Sequence, residues 1–179
     1  MPVSINGNTG VVTGLAALPD SAMSSGSIIQ VVQTVKTDSF STNTGSSYVD
    51  ITGMTVTITP SSSSNKILIV PSLNFIGAQS HRHGFRILRG TTEIHIGDTA
   101  GNRRRATSGE GNPPTNVNNN HYCTPFLDSP STTSATTYKL QVIGEGSNTN
   151  IYVNRTENDT DSQDKFRFAS SMLAMEVAA

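Results

Sequence analysis

The stretch "MTVTITPSSSSNKILIV", residues 54–70, carries two different hydrophobic rules on either side of a serine run. Met54, Val56 and Ile58 alternate with Thr55, Thr57 and Thr59, the period of a strand with one dry and one wet face. Ile67, Leu68, Ile69 and Val70 run on without a polar break, the pattern of a strand covered on both faces. A lone sandwich offers its outer sheet faces only to water. The uninterrupted run therefore predicts a neighbouring subunit over the second face, with "PSSSSN" as the exposed tip of a hairpin.

Comparable runs fill the rest of the chain from residue 27 onward. Segments 27–36, 48–60, 66–77, 84–90, 92–98, 136–144, 150–156 and 166–177 are rich in Val, Ile, Thr and Tyr and bounded by Gly, Pro, Asn and Ser. "LRGTTEI" and "VIGEGSNTNIYV" read as hairpin connections, and "TDSFSTNTGSS" as a polar link. No segment holds a helical period over three turns. In the last segment Leu173, Met175 and Val177 alternate, which favours a strand over the helix that Met, Leu and Ala would permit. About nine strands in roughly 150 residues predict an all-β fold, an antiparallel two-sheet sandwich of jelly-roll type. Residues 1–26, punctuated by Gly, Pro and Ser, show no such period. They are expected to form an extended N-terminal docking arm ahead of a β-sandwich domain at 27–179. The apolar residues Val11, Val12, Leu15 and Leu18 would make its contacts.

Composition narrows the function classes. Charged residues are 14% of the 179, against about 25% in ordinary soluble domains, and the net charge is −1. No basic field exists to gather nucleic acid, so none is expected as a partner. Tryptophan is absent and aromatics are 6%, which removes an obvious stacking platform for bases or sugars. One cysteine excludes an internal disulfide and a paired-cysteine metal knuckle. The N-terminus lacks a signal-peptide pattern and no apolar run approaches membrane-span length, so cytoplasmic synthesis without a membrane partner is expected.

"SINGNTGVVTGL", "GDTAGNRRRA", "FLDSPSTTSATTYKLQV", "VNRTENDTDS" and "SSMLAMEV" together resemble a family of small virion-associated proteins of marine tailed bacteriophages, some tail-fibre-like. The resemblance spans nearly the whole chain. It implies a virion structural protein, capsid or tail, with a β-sandwich body and an N-terminal attachment region, assembled in the host cytoplasm. The subunit expected over the second face of 67–70 makes a closed homotrimer, as in jelly-roll fibre heads, the expected assembly.

Four groups of residues are candidates for chemistry. His81 and His83, two apart, would share a strand face, and on a trimer axis three such pairs could ligate a transition metal; the alternative is a solvated polar loop. Arg103, Arg104 and Arg105 could grip phosphate, sulfate or a carboxylate-bearing glycan. The favoured reading pairs them instead with Glu157, Asp159 and Asp161 of the acidic stretch, within or between chains. Asp159, Asp161 and Asp164 alternate as calcium ligands can, but the turn glycine and distal glutamate of an EF-hand are missing. "HYC" places His121 and Cys123 on one strand face and Tyr122 on the other, and a buried or half-buried thiol is expected of Cys123. The sequons at Asn154 and Asn158 mean little without a secretory route.

No serine-hydrolase elbow, zinc-protease helix or phosphate loop occurs, so no enzymatic activity, metal or cofactor is expected. The reading is a trimeric fibre head or knob, with host-surface glycan as a candidate contact and tail or capsid proteins bound through the arm. The alternative is a capsid decoration protein clamping the shell with that arm. A glycan-processing enzyme ranks last.

Overall fold

A computed structural model describes residues 4–6, 11–13, 23–45, 47–78, 81–111, 120–146 and 149–179. Fourteen strands occur among them: Ser4–Asn6 (β1), Val11–Thr13 (β2), Ile28–Lys36 (β3), Phe40–Asn43 (β4), Val49–Ile58 (β5), Lys66–Gly77 (β6), His83–Arg89 (β7), Thr92–Ile94 (β8), Ser108–Glu110 (β9), Asn120–Cys123 (β10), Phe126–Asp128 (β11), Thr136–Gly144 (β12), Asn150–Val153 (β13) and Ser170–Val177 (β14). The described residues hold no helix. Two antiparallel sheets face each other as a jelly-roll-like sandwich. β1 and β2 form a separate two-stranded ribbon.

The larger sheet is organised by β6. One of its edges carries β14 and then β13, the other β11 and then β10; β3 closes one flank on β14 and β4 the other on β13. The smaller sheet runs β5-β12-β7-β8, with β9 also on β7. Between them lies a single core. Met54, Val56, Ile58, Tyr138, Leu140, Val142, Phe85 and Ile87 come from the small sheet, and Ile67, Ile69, Leu73, Phe75, Ile151, Val153 and Met172 from the large one. Each set sits at every second position, so the period of 2 places one apolar face of each sheet inward. In β5 the inward alternation slips between Ile51 and Met54, where Gly53 adopts φ 85° and the pairing register with β12 shifts. That backbone conformation favours glycine.

The connections depart from the sequence reading. β5 belongs to the small sheet and β6 to the large one, so the serine run is an arch between layers, not a hairpin tip. Its ends are held by one carboxylate. Glu176, 1% exposed, accepts from the Ser61 amide at 2.7 Å, the Ser61 hydroxyl at 2.8 Å and Asn65 Nδ2 at 2.7 Å. "VIGEGSNTNIYV" also crosses between layers, because β12 pairs with β5 and β7 while β13 pairs with β4 and β6. "LRGTTEI" is a hairpin, β7 to β8, with Gly90 at φ 59° in its turn. The "TDSFSTNTGSS" link contains β4. The last strand begins at Ser170 rather than 166, where Asn154 ends β13: Ser170 Oγ donates to Asn154 Oδ1 at 2.6 Å, and Asn154 Nδ2 donates to the Lys36 carbonyl at 2.8 Å.

Candidate functional site

The outer face of the large sheet is the molecule's most unusual surface. Register places Leu127, Leu68, Met175 and Val31 in one row across β11, β6, β14 and β3. Val70 and Leu173 form the next row with Gln33, and Val177 pairs with Ile28 on one side and Lys66 on the other. A fourth row runs Cys123, Ser72, Ser171, Val35. Val31 and Val35 are each 56% exposed, Ile28 and Leu127 each 45%. Lys66 is the only charge in these rows. The continuous run at 67–70 thus does supply a second apolar face, through Leu68 and Val70, which are half-buried like Leu173 and Met175, with Ile28, Val31, Val35 and Leu127 exposed around them. Contiguous exposed apolar surface of this kind marks interaction sites.

A second feature lies on the small sheet, where the segment between β8 and β9 folds back over its outer face. Gly84 in β7 makes this possible: a Cβ there would stand 3.2 Å from Ala106 Cβ. The Gly97 amide donates to the Ala106 carbonyl at 3.2 Å, and the Thr107 amide to the Phe85 carbonyl at 2.8 Å. The segment and the sheet enclose an open recess of about 1270 Å³, lined among others by Tyr48, Arg82, Arg103, Arg104, Glu110 and Glu145. Arg103 Nη1 donates to the Ala100 carbonyl at 3.3 Å, and Arg104 Nη1 to the Gly144 carbonyl. Arg105 Nε donates to the Gly97 carbonyl at 2.6 Å, and its Nη1 lies 3.5 Å from Glu93. Arg82 pairs with Glu145 at 2.8 Å, and this hydrogen bond holds the Glu145 carboxyl below its ordinary value. The Tyr48 hydroxyl donates to the Arg105 carbonyl, and burial pushes that phenol above its ordinary value.

The arginine triplet does not meet the acidic stretch within the chain. Asp159 pairs instead with Arg167 at 2.7 Å and Arg155 at 3.6 Å, and Asp164 with Lys165 at 2.7 Å. The Lys165 hydrogen bond lowers the Asp164 carboxyl to about 2. Glu157 is half-buried and lends its carbonyl to Arg155, and Asp161 is exposed. Among the described residues no cluster of three or more His, Cys, Asp or Glu is placed to hold a metal ion. This does not fit the calcium candidate. His81 and His83 do not present a common outer face either. His83 is 6% exposed, with its ring edge-on to Phe75 at 5.1 Å and its Nδ1 3.2 Å from the His81 carbonyl. An imidazole inside its own chain's core cannot reach a trimer axis. Cys123 is exposed, contrary to expectation, because β10 turns Tyr122 inward and His121 and Cys123 outward. Asn154 is fully buried, so its sequon cannot be reached by a modifying enzyme in the folded state. Val11 and Val12 fall in β2; Leu15 and Leu18 lie outside the described residues.

The recess was only half legible. The triplet signalled cationic chemistry, but Arg82, Glu145 and Tyr48 come from distant segments and carried no local signal.

No protein-family model matches the chain, and no characterised protein matches its sequence. Among solved structures it is similar to the VP2 subviral particle of infectious bursal disease virus, with a TM-score of 0.49, 15% identity, and 83% of this chain covering 32% of that one. A second similar structure is that of the infectious bursal disease virus Gx strain, with a TM-score of 0.42, 18% identity, and 84% of this chain covering 36% of that one. The chain spans about a third of the length of both.

Proposed function

We propose that this chain is a non-enzymatic structural protein of a virion that works as a homo-oligomer, a trimer, closed through the outer face of its large sheet. The apolar row of exposed Leu127 and Val31 with half-buried Leu68 and Met175 carries the reading. Their occupant is a second copy of the same chain. Apart from Lys66 at its margin the face carries no charge to repel its own image, and a net charge of −1 adds little repulsion between copies at range. Burying half-exposed Val, Ile and Leu side chains gains on the order of 1 kcal/mol each, and a closed ring leaves no face uncovered. The sequence resemblance supplies the virion setting. In that setting the copies project as a fibre head or knob, with residues 1–26 as the docking arm.

Light scattering on a size-exclusion column is the test of assembly. The mass expected is that of three chains; a single-chain mass at micromolar concentration overturns the reading. The virion role is tested by particle incorporation of a Val12→Ser, Leu15→Ser variant. Loss of loading from a variant that keeps its oligomeric mass supports the arm, and normal loading removes it. In the second reading, a capsid decoration protein, the variant would also fail to load, but labelled chains would be found over the shell rather than at the tail. Release of reducing ends from host polysaccharide would restore the enzyme class.

A further inference from the structure

We propose that the arginine-lined recess of the small sheet binds an acidic sugar, a hexuronic-type residue of a glycan chain, through its carboxylate. This gives a ligand class to the host contact of the virion reading and rests on that reading for its setting, though not for its chemistry.

Arg103 and Arg104 lead the argument. Each spends one donor on a backbone carbonyl, Ala100 and Gly144 respectively, and neither has a carboxylate partner among the described residues. A carbonyl fixes a guanidinium in place without neutralising it. The charge and the remaining donors stay available, and a planar fork of donors matches a carboxylate. Arg82 and Arg105, by contrast, have Glu145 and Glu93 beside them. The recess thus holds one arginine with its own carboxylate, one that shares Glu93 with Arg86, and two that are anchored without a carboxylate partner among the described residues.

The rest of the lining selects among anions. Asp98, Glu110 and Glu145 stand around the same space. They would repel a phosphate dianion, whose charge is concentrated and which brings no carbon-bound hydroxyls, but they are suitable acceptors for sugar hydroxyls. One carboxylate per ring, spaced along a polyhydroxylated chain, answers both sets of groups. A neutral sugar fits less well, because sugars without charge rely on stacking. Tyr48 is the only Phe or Tyr in the described lining, and one face of its ring already carries the Arg86 guanidinium at 3.8 Å. The volume, about 1270 Å³, exceeds the usual range for a small-molecule pocket and suits several linked residues rather than one.

Isothermal titration of the full chain with tetragalacturonate tests this, beside maltotetraose as the neutral analogue and inorganic phosphate as the bare anion. Tetragalacturonate is expected to bind, with affinity falling as sodium chloride rises, and the other two to bind at least tenfold more weakly. Arg103→Gln with Arg104→Gln should weaken tetragalacturonate binding by about tenfold or more. Arg103→Gln alone is the safeguard against misfolding, since the side chain's hydrogen bond is to the Ala100 carbonyl of its own turn, and it should show a smaller loss at an unchanged unfolding midpoint. Equal binding of maltotetraose, phosphate binding as tight as that of tetragalacturonate, or unaltered binding by the variants would each overturn the proposal. Light scattering on the same samples reads assembly separately, so a monomer that binds tetragalacturonate sinks the assembly reading alone.

Discussion

The outer faces of the two sheets are built from strands of similar length yet end in opposite surfaces. On the small sheet, long polar side chains tie to one another. Lys139 and Gln141 both reach Asp50, at 2.8 and 2.6 Å, Arg86 bonds Gln141 at 2.8 Å and pairs with Glu93, and Thr57 meets Thr137 at 2.9 Å. Even the apolar Leu88 on that side is only 4% exposed. On the large sheet the outward rows are mostly Val, Leu, Ile and Met, with Gln33, Lys66, Ser72, Ser171 and Cys123 at their margins, where Ser72 bonds His121 at 2.9 Å. A face meant for water invests in side chains that bond each other and water; a face meant for protein leaves shape and apolar area. The proposed interface on the large-sheet face rests on this contrast.

The largest effect is expected from placing one charge on each face. Met175→Lys puts an ammonium in the middle of the apolar rows, where assembly would have to desolvate it beside its own symmetry copies. That costs several kcal/mol and should shift the mass from three chains to one. Thr57→Lys on the small-sheet face should leave the mass unchanged. The single thiol gives a second readout, because Cys123 shares the face with Val35 and Ser72. Its reaction with a maleimide should be slow in the assembled protein and fast in Met175→Lys. Equal masses for both lysine variants would erase the distinction between the faces.

A smaller effect concerns the tie that joins the layers. Asp128 of β11, 5% exposed, accepts from Arg89 of β7 at 2.8 Å through both carboxylate oxygens, and from the Tyr138 hydroxyl of β12 at 2.7 Å. Burial, then the hydrogen bond to Asp128, pushes the Tyr138 phenol far above its ordinary value, so it remains a neutral donor. Asp128→Ala leaves a buried hydroxyl and a partly buried guanidinium without their acceptor, which should cost about 3 kcal/mol of stability in urea unfolding. Tyr138→Phe, which removes one neutral donor, should cost nearer 1 kcal/mol. A cost below 1 kcal/mol for Asp128→Ala would mean that the two sheets are held by apolar contact alone.

Strands that were legible in the sequence are those whose own side chains bury something. β3, β5, β6, β7, β12 and β14 all carry Val, Ile or Leu at alternate positions, and their boundaries followed within a few residues. β9 and β10, with "SGE" and "NHYC", were not legible, because edge strands of this kind are created by the partner's free backbone groups rather than by their own propensity. The pairing of strands was hidden for a different reason. A short polar gap between two strands reads alike whether the chain turns back in one sheet or arches to the other. What decides it here is Glu176, over a hundred residues away, whose carboxylate gathers the ends of the serine run. The second apolar face of β6 was legible from "KILIV", but its extent depended on β3, β11 and β14 lining up beside it.

The smallest effect is a single proton at the end of the shared core. His83 is shut in by Phe75 and Gly77, and burial holds its imidazole below the ordinary value of 6.5, although the His81 carbonyl and the Glu110 carboxylate pull the other way. The neutral ring donates from Nδ1 to that carbonyl, while Nε2 has no partner among the described residues. Because the folded state binds this proton less readily than the unfolded chain, its stabilising contribution is complete above the unfolded value. It is lost as the pH falls below about 6.5 and through the folded one. The sandwich should therefore unfold at lower urea at pH 5.5 than at pH 7.5, a window above the range where ordinary carboxylates titrate. His83→Gln, with no titrating ring, should flatten the difference without changing the mass seen by light scattering, since the side chain faces the core and not the apolar rows. An equal slope in both proteins would assign the acid sensitivity to the assembly instead, and with it to the large-sheet face.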